Sequence, residues 1–136
     1  MGIYERVPLP SVNSLAQRSR TLVGESISWK SEPGPAASWR PKDGVERGKL
    51  LIVQSLYLHN AEPRENLGTL LLLDEEGTDH ARFAPGGITP APVPPGGELS
   101  WTGQLYVPTG WKVGVRFEDM LGGGHLCHWR YTAIEV

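Results

Sequence analysis

The sequence predicts an all-β protein, an antiparallel two-sheet sandwich of the jelly-roll or Greek-key type that carries an extended N-terminal arm. Short apolar and alternating runs recur along the chain, and a period-two alternation is typical of strands. The 17 glycines and 12 prolines punctuate these runs with turns. No long stretch has a helical period, and 136 residues suit a single domain. We therefore expect about seven or eight strands packed in two layers.

Residues 1–44 are predicted to be an arm, joined to a body that spans residues 45–136. Pro8 and Pro10 favour an extended path near the start of the chain. Residues 21–30 alternate well enough for one strand, with Ile27 and Trp29 on the same face. Residues 31–44 are rich in proline and glycine, so we expect a long loop there.

The first half of the body contains two strands that are expected to lie inside the sandwich. Residues 47–59 are apolar on both faces at their centre and then alternate, with Leu56 and Leu58 facing inwards. Residues 60–66 are a loop, and residues 67–73 form the second inner strand. Residues 74–77 make a turn that leads into a short strand at residues 80–84.

The second half of the body contains three further strands. Residues 84–97 are nearly all proline, glycine and small residues, which predicts a stiff surface connection. Residues 99–107 and 112–117 alternate, and residues 125–136 form the closing strand. In that strand one face carries Cys127, Trp129, Tyr131 and Ala133. Its imperfect alternation predicts a β-bulge within it.

Composition excludes several classes of function. The formal net charge is −2, which argues against a nucleic-acid partner held by phosphate contacts. No apolar run approaches the roughly 20 residues that span a bilayer, so we expect no membrane association. The N-terminus has no signal-peptide pattern, and the single Cys127 excludes an intrachain disulfide. We expect a protein that is made in the cytosol.

Candidate metal and catalytic residues fail on spacing, so we predict no metal, no cofactor and no enzymatic activity. His125, Cys127 and His128 are potential zinc ligands, with His59 and His80 as distant partners. On a strand, however, residues 125 and 128 point to opposite faces. A cupin-like metalloenzyme needs a clustered set of histidines and a carboxylate, and no such pattern occurs. The acidic run of residues 74–76 with Asp79 lacks the spacing of a calcium loop, so we predict a solvated turn there.

The five tryptophans leave two interpretations open. Exposed aromatic rings stack on sugars, which would make the chain a carbohydrate-binding module. Trp101, Trp111 and Trp129 lie in or beside strands, where we expect them to be core residues. Trp29 and Trp39 flank the Pro-rich loop, and we expect them to anchor the arm on a partner.

The body resembles a loose family of small phage virion proteins of the β-sandwich, or jelly-roll, kind. The resemblance rests on Gly48–Asn60, Leu67–Leu73, Pro94–Phe117 and Tyr131–Val136. In this pattern a Pro-Gly-Gly-Glu turn leads into a strand and a Pro-x-Gly turn follows. The resemblance covers about residues 45–136 and implies a non-enzymatic subunit that forms a symmetric oligomer, most often a trimer, and binds a protein lattice.

Together these observations predict a structural protein of a bacteriophage virion, assembled in the host cytoplasm. The first hypothesis is a capsid decoration, or cement, protein that stabilises the lattice of the major capsid protein. A neck or tail accessory or fibre-base subunit and a carbohydrate-binding module are the alternatives. Scarce Asn and Gln with abundant loop proline are typical of a thermophilic source. The residues expected to anchor the arm on a partner are Ile3, Tyr4, Val7, Leu9, Trp29 and Trp39.

Overall fold

The computed structural model describes residues 20–83 and 90–136 and confirms the predicted all-β sandwich. Every regular element in these two ranges is a strand. The nine strands are β1 (Thr21–Lys30), β2 (Gly34–Arg40), β3 (Leu51–His59), β4 (Asn66–Leu73), β5 (Asp79–Phe83), β6 (Ala91–Val93), β7 (Glu98–Val107), β8 (Lys112–Met120) and β9 (Leu126–Glu135).

The strands pair in the nested order that defines a jelly roll. One sheet has the order β1-β9-β3-β7, and the other has the order β2-β8-β4-β5, with β6 also paired to β4. The first strand therefore pairs with the last, the second with the second to last, and the third with the third to last. At the centre of the nest, β4 pairs with β5 through residues 70–73 and with β6 through residues 66–68. All the strand pairs are antiparallel, as predicted.

The strand predicted at residues 21–30 is confirmed as β1, but the long loop predicted at residues 31–44 is corrected. Residues 34–40 form β2, which pairs with β8 at the edge of the second sheet. An edge strand tolerates Pro35, because one side of its backbone needs no partner strand. The sandwich thus begins at Thr21 rather than at residue 45, and residues 1–19 lie outside the described part of the chain.

The inward faces of the two sheets fill the space between them with apolar side chains. Trp129 and Tyr131 on β9 face Phe117 and Val115 on β8, and all four are buried. The predicted alternation of β9 is confirmed, because its residues 127, 129, 131 and 133 are buried. The Phe117 ring lies 6.2 Å from the Trp29 ring on β1, measured between centroids, so it links the two layers.

The predicted bulge lies in β3 rather than in β9. Val53 and Leu56 are both buried although they are three residues apart, so β3 changes face at Gln54. The registers of β3 with β7 and with β9 both shift at that point. The pairing of β1 with β9 is regular throughout. This bulge explains why the sequence of β3 is apolar on both faces before it alternates.

The loops at one end of the sandwich are joined by buried polar side chains. Asn60 donates from Nδ2 to the carbonyl oxygens of Arg64 (2.8 Å) and Val93 (3.0 Å), and its Oδ1 accepts from the amide of Glu62. Glu62 is 1% exposed, and its carboxyl oxygens accept the amides of Leu121 (3.0 Å) and Gly122 (2.8 Å). These two side chains hold the β3–β4, β6–β7 and β8–β9 connections together.

Candidate interaction surface

An uninterrupted line of apolar side chains crosses the outer face of the β1-β9-β3-β7 sheet. Leu22 pairs with Ile134, Ile134 pairs with Ile52, and Ile52 pairs with Tyr106. These four residues, one from each strand, are called the apolar row below. Each of the four has a neighbour in sequence that packs in the core, namely Val23, Ala133, Leu51 and Leu105, so the four side chains share the outward face.

The ends of the apolar row are the most accessible. Leu22 is 81% exposed and Tyr106 is 53% exposed, whereas Ile52 and Ile134 are half-buried between them. Adjacent strands lie about 4.8 Å apart, so four strands carry the row across about 14 Å of the sheet. Covering apolar surface is favourable by about 25 cal/mol per Å². A contiguous strip of this kind is typical of a surface that another polypeptide covers.

The next row of the same face is polar. Thr132 pairs with Ser55, and Ser55 pairs with Thr102. The hydroxyl oxygens of Ser55 and Thr132 lie 2.5 Å apart. This row separates the apolar row from the remainder of the face.

Beyond the hydroxyls lies a group of stacked rings, called the ring cluster below. The His128 ring lies 4.9 Å from the His59 ring and 5.8 Å from the Tyr57 ring, measured between centroids. The Arg130 guanidinium sits 4.4 Å above the centre of the Tyr57 ring. The Tyr57 hydroxyl donates to Glu98 on β7. The sheet therefore presents an apolar half and a polar aromatic half.

The surroundings in the ring cluster shift the pKa values of His128 and Tyr57. Desolvation lowers the pKa of His128, and the neighbouring His59 and Arg130 charges lower it further, while Glu98 opposes them. The hydrogen bond to Glu98 raises the pKa of Tyr57, and burial adds to that rise. Protonation of His128 is thus disfavoured in the folded state.

We expect this arrangement to make the fold less stable in mild acid. Because the pKa of His128 is lower in the folded chain, the unfolded chain binds more protons as the pH falls through about 6.5. The charged groups around His128 are His59, Arg130 and Glu98, with Tyr57 stacked beside it. The free energy of unfolding, measured in urea at pH 7.5 and at pH 5, gives this loss of stability.

Between pH 7.5 and pH 5, the variant His128→Gln should lose less stability than the wild-type protein. The matched control is His125→Gln, because the His125 side chain is exposed in the β8–β9 loop. An identical pH dependence in His128→Gln and the original protein would contradict the assignment.

Two of the six predicted anchor residues lie in the described part of the chain. Trp29 is half-buried on β1 and packs against the core and Phe117. Trp39 is half-buried on β2 and covers Gly114 of β8, where an added Cβ would lie 2.0 Å from a carbon of the Trp39 ring. The remaining four, listed by number, lie outside the described residues: Ile3, Tyr4, Val7 and Leu9.

The other predicted core residues are placed as expected. Trp129 is fully buried, and Trp101 and Trp111 pack half-buried against the core. Cys127 is buried, and desolvation raises the pKa of its thiol.

Of the residues considered as zinc ligands, His59 and His128 lie together in the ring cluster, with ring centroids 4.9 Å apart. The other candidates do not join them, and the side chain of His80 lies outside the described residues. His128 lies on the outer face, Cys127 faces the core and His125 lies in the preceding loop. Among the side chains that the structure describes, those of residues 20–78 and 90–136, no three histidine, cysteine or acidic groups form a set suited to a metal ion. In the acidic turn, Asp74 Oδ1 accepts the amides of Glu76 and Thr78, both at 2.9 Å, so it serves to close the turn.

Sequence reasoning did not identify the apolar row or the ring cluster. Alternation in each strand marks which side chains share a face, but the row exists only because four registers bring single residues side by side. The sequence signal that could have identified the apolar row was an apolar residue at an outward-facing position in each of β1, β9, β3 and β7.

Comparisons with known proteins identify no family for this chain. No protein-family model matches the chain, and no curated protein sequence matches it. Among solved structures, a chain of the infectious bursal disease virus Gx strain is 14% identical over 87% of this chain, with a TM-score of 0.44. A chain of the Gt strain of that virus is 14% identical over 83%, with a TM-score of 0.26. This chain spans about a third of the length of each, 32% and 33%.

The described residues contain no helix that is long and apolar enough to cross a membrane.

Proposed function

We propose that this chain is a non-enzymatic structural subunit of a virus particle, a capsid decoration protein that associates with copies of itself and with a capsid lattice. The observation that carries the proposal is the apolar row, which lies at the end of the sheet where residues 1–19 join β1. Leu22, the most exposed member of the row, is the second residue of β1. In the sequence, the N-terminal segment therefore comes directly before the strand that carries the most exposed residue of the apolar row.

The filled interior of the sandwich supports a structural role over a cupin-like one. Jelly rolls occur in viral capsid proteins, lectins and cupins. A cupin uses inward-facing ligands inside its barrel, whereas this interior is packed with Trp129, Phe117, Leu56 and Leu70, none of them more than 1% exposed. The side chains that remain accessible lie on the outer faces, which suits a protein that acts through its surface.

The occupant proposed for the apolar row is the segment Ile3–Leu9 of a neighbouring copy. That segment carries Ile3, Tyr4, Val7 and Leu9, a set of apolar side chains that matches the row in character. The 11 residues from 10 to 20 span at most about 36–40 Å when extended. This reach is more than twice the width of the row, so the segment can extend beyond the sheet of its own copy.

Charge favours the same pairing. Residues 1–20, which precede β1, carry three Lys or Arg and one Asp or Glu, and residues 21–136 carry ten and fourteen. A mildly basic N-terminal part meeting an acidic body lowers the electrostatic cost of association. A closed ring of such contacts, a trimer in our proposal, leaves the rest of the surface for the capsid lattice. A neck or tail accessory subunit would use the same contact in a different place on the particle.

Light scattering of purified protein tests self-association. The original chain is expected to form a closed oligomer, and Leu22→Asp to be monomeric, because a buried unpaired carboxylate opposes the contact. The matched control is Ser28→Asp, an exposed position on the same outward face of β1 that should keep the oligomer. A monomeric original chain, or an unchanged mass for Leu22→Asp, would contradict the proposed contact.

A further inference from the structure

Two histidines of the ring cluster lie side by side on the outer face of the β1-β9-β3-β7 sheet. His59 of β3 and His128 of β9 are register partners, so they stand directly opposite one another on two paired strands. Opposite residues of an antiparallel pair have Cβ atoms about 4.5–5.5 Å apart. The two rings lie 4.9 Å apart, measured between centroids. Backbone pairing therefore holds two imidazoles at close range.

This separation suits two imidazoles that share one metal ion. A bond of about 2.0–2.1 Å between zinc and an imidazole nitrogen places the ion about 3.2 Å from the centre of each ring. The ring centres are then about 4.5 Å apart when the two bonds meet at a right angle, and about 5.2 Å apart at the tetrahedral angle. The observed 4.9 Å lies between these two values.

The rings can turn their nitrogens towards a shared ion without movement of the strands. Their planes are inclined by 26° to one another, so each ring must rotate to bind the same ion. The last side-chain torsion of histidine has a broad energy minimum, which makes this rotation easy. The rotation axis passes close to the ring centre, so the distance between the centres is nearly unchanged.

Both rings are accessible from solvent. His59 and His128 are half-buried on the outward face of the sheet. Their neighbours in sequence, Leu58, Cys127 and Trp129, are fully buried and fix the strands on which the pair stands. An ion bound by the pair would keep coordination positions towards solvent, and water would fill them.

The charged groups around the pair offset one another. Glu98 is the register partner of His59 on β7, and the Tyr57 hydroxyl donates to its carboxylate. The Arg130 guanidinium opposes a metal cation, but it lies over the Tyr57 ring, 4.4 Å from the ring centre, and Glu98 balances its charge. Desolvation lowers the pKa of His128, which leaves its ring neutral at pH 7.5, the form that binds a metal.

We propose that His59 and His128 together bind one divalent transition-metal ion, of the class of Ni²⁺, Cu²⁺ and Zn²⁺. Imidazole is a preferred ligand of these ions, whereas Mg²⁺ and Ca²⁺ prefer oxygen. Spacing along single strands predicted no metal site, because this pair forms only across two strands. A bound ion links the last strand to β3 and stabilises the centre of the sheet. The site lies within one copy, so it does not depend on the proposed oligomer.

Isothermal titration calorimetry of the metal-free full chain, purified without a histidine tag, tests the site at pH 7.5. We expect saturable binding of one Ni²⁺ per chain, and no saturable binding of Ca²⁺ at the same concentrations. No saturable binding of Ni²⁺ up to 1 mM would overturn the proposal. Equal binding of Ca²⁺ and Ni²⁺ would indicate carboxylate ligands and would overturn it as well.

Two variants and a matched control locate the ion. His59→Gln and His128→Gln each leave a single imidazole, so the affinity for Ni²⁺ should fall at least tenfold in both. His125→Gln makes the same change at an exposed histidine of the β8–β9 loop and should bind as the wild type does. Wild-type affinity in His59→Gln or in His128→Gln, or weaker binding in His125→Gln, would overturn the site.

Two further measurements keep the test independent of variant folding. An ion that binds only the folded chain raises its unfolding temperature, so Ni²⁺ should raise it in the wild type and in His125→Gln. In the wild-type chain, substoichiometric Cu²⁺ is paramagnetic and should broaden the NMR signals of the His59 and His128 rings before those of His125. Broadening of the His125 ring first, or an unchanged unfolding temperature of the wild type at saturating Ni²⁺, would overturn the proposal.

Discussion

Replacing Phe117 with alanine will destabilise the protein by about 3–5 kcal/mol, the cost of deleting a fully buried aromatic side chain and leaving a cavity. Phe117 is 0% exposed, and its ring joins the layers by packing against Trp29. One edge of the ring lies 3.5 Å from where a Cβ on Gly68 would stand, so β4 is in contact as well. Urea unfolding followed by tryptophan fluorescence measures the change.

The control for Phe117→Ala is Phe117→Leu, which keeps most of the apolar volume. We expect it to cost less than half as much, because conservative swaps in a core usually cost under 1.5 kcal/mol. A typical domain has only about 5–15 kcal/mol of stability, so Phe117→Ala should leave a marginal fold. Equal losses for the two variants, or a loss below 1 kcal/mol for alanine, would contradict the packing described for the two layers.

Replacing Glu62 with alanine will cost about 2–5 kcal/mol, although the residue is polar. Its two carboxyl oxygens accept the amides of Leu121 and Gly122, and each buried amide left without an acceptor costs about 1–3 kcal/mol. The loop cannot simply move away. Gly122 has a φ of +92°, and an added Cβ there would lie 2.7 Å from Pro33, so the loop is closely confined.

Glu76→Ala is the matched control for Glu62→Ala, because it makes the same change at an exposed turn position. It should alter stability by no more than about 0.5 kcal/mol. The unfolding temperatures of the two variants, measured by circular dichroism, test this difference. If Glu62→Ala unfolds at the same temperature as Glu76→Ala, the buried carboxyl group does not join the β3–β4 and β8–β9 connections in the way proposed.

The sequence was most informative where one face of a strand is fully buried. In β9 alternate residues from Cys127 to Ala133 are buried, so the periodicity alone identified the strand and its inner face. The turn at Asp74–Gly77 was also predicted correctly, since Asp74 and a glycine with positive φ close it.

Two features misled the prediction from sequence, one at the start of β2 and one within β3. Proline and glycine around residues 33–35 indicated a loop, yet β2 follows directly, because an edge strand needs hydrogen bonds on one side only. The bulge at Gln54 shifted the alternation of β3, and a single sequence does not identify which strand carries a bulge.

The candidate surfaces depend on register, which the sequence alone did not supply. Leu22 and Tyr106 are 84 positions apart in the chain and become the two ends of one row only through β9 and β3. Local patterns predict strands well, whereas long-range pairing decides which outward side chains meet.

Disulfide trapping between two copies tests the central claim most directly. Chains carrying Val7→Cys are mixed with chains carrying Tyr106→Cys under mild oxidation, and the native Cys127 is buried and stays out of reach. The account predicts a disulfide-linked dimer from this mixture. It predicts little from a mixture of Val7→Cys with Ser100→Cys, an exposed position on the same face of β7 but near the ring cluster. Equal trapping at both positions, or none at Tyr106→Cys, would contradict docking of the N-terminal segment on the apolar row.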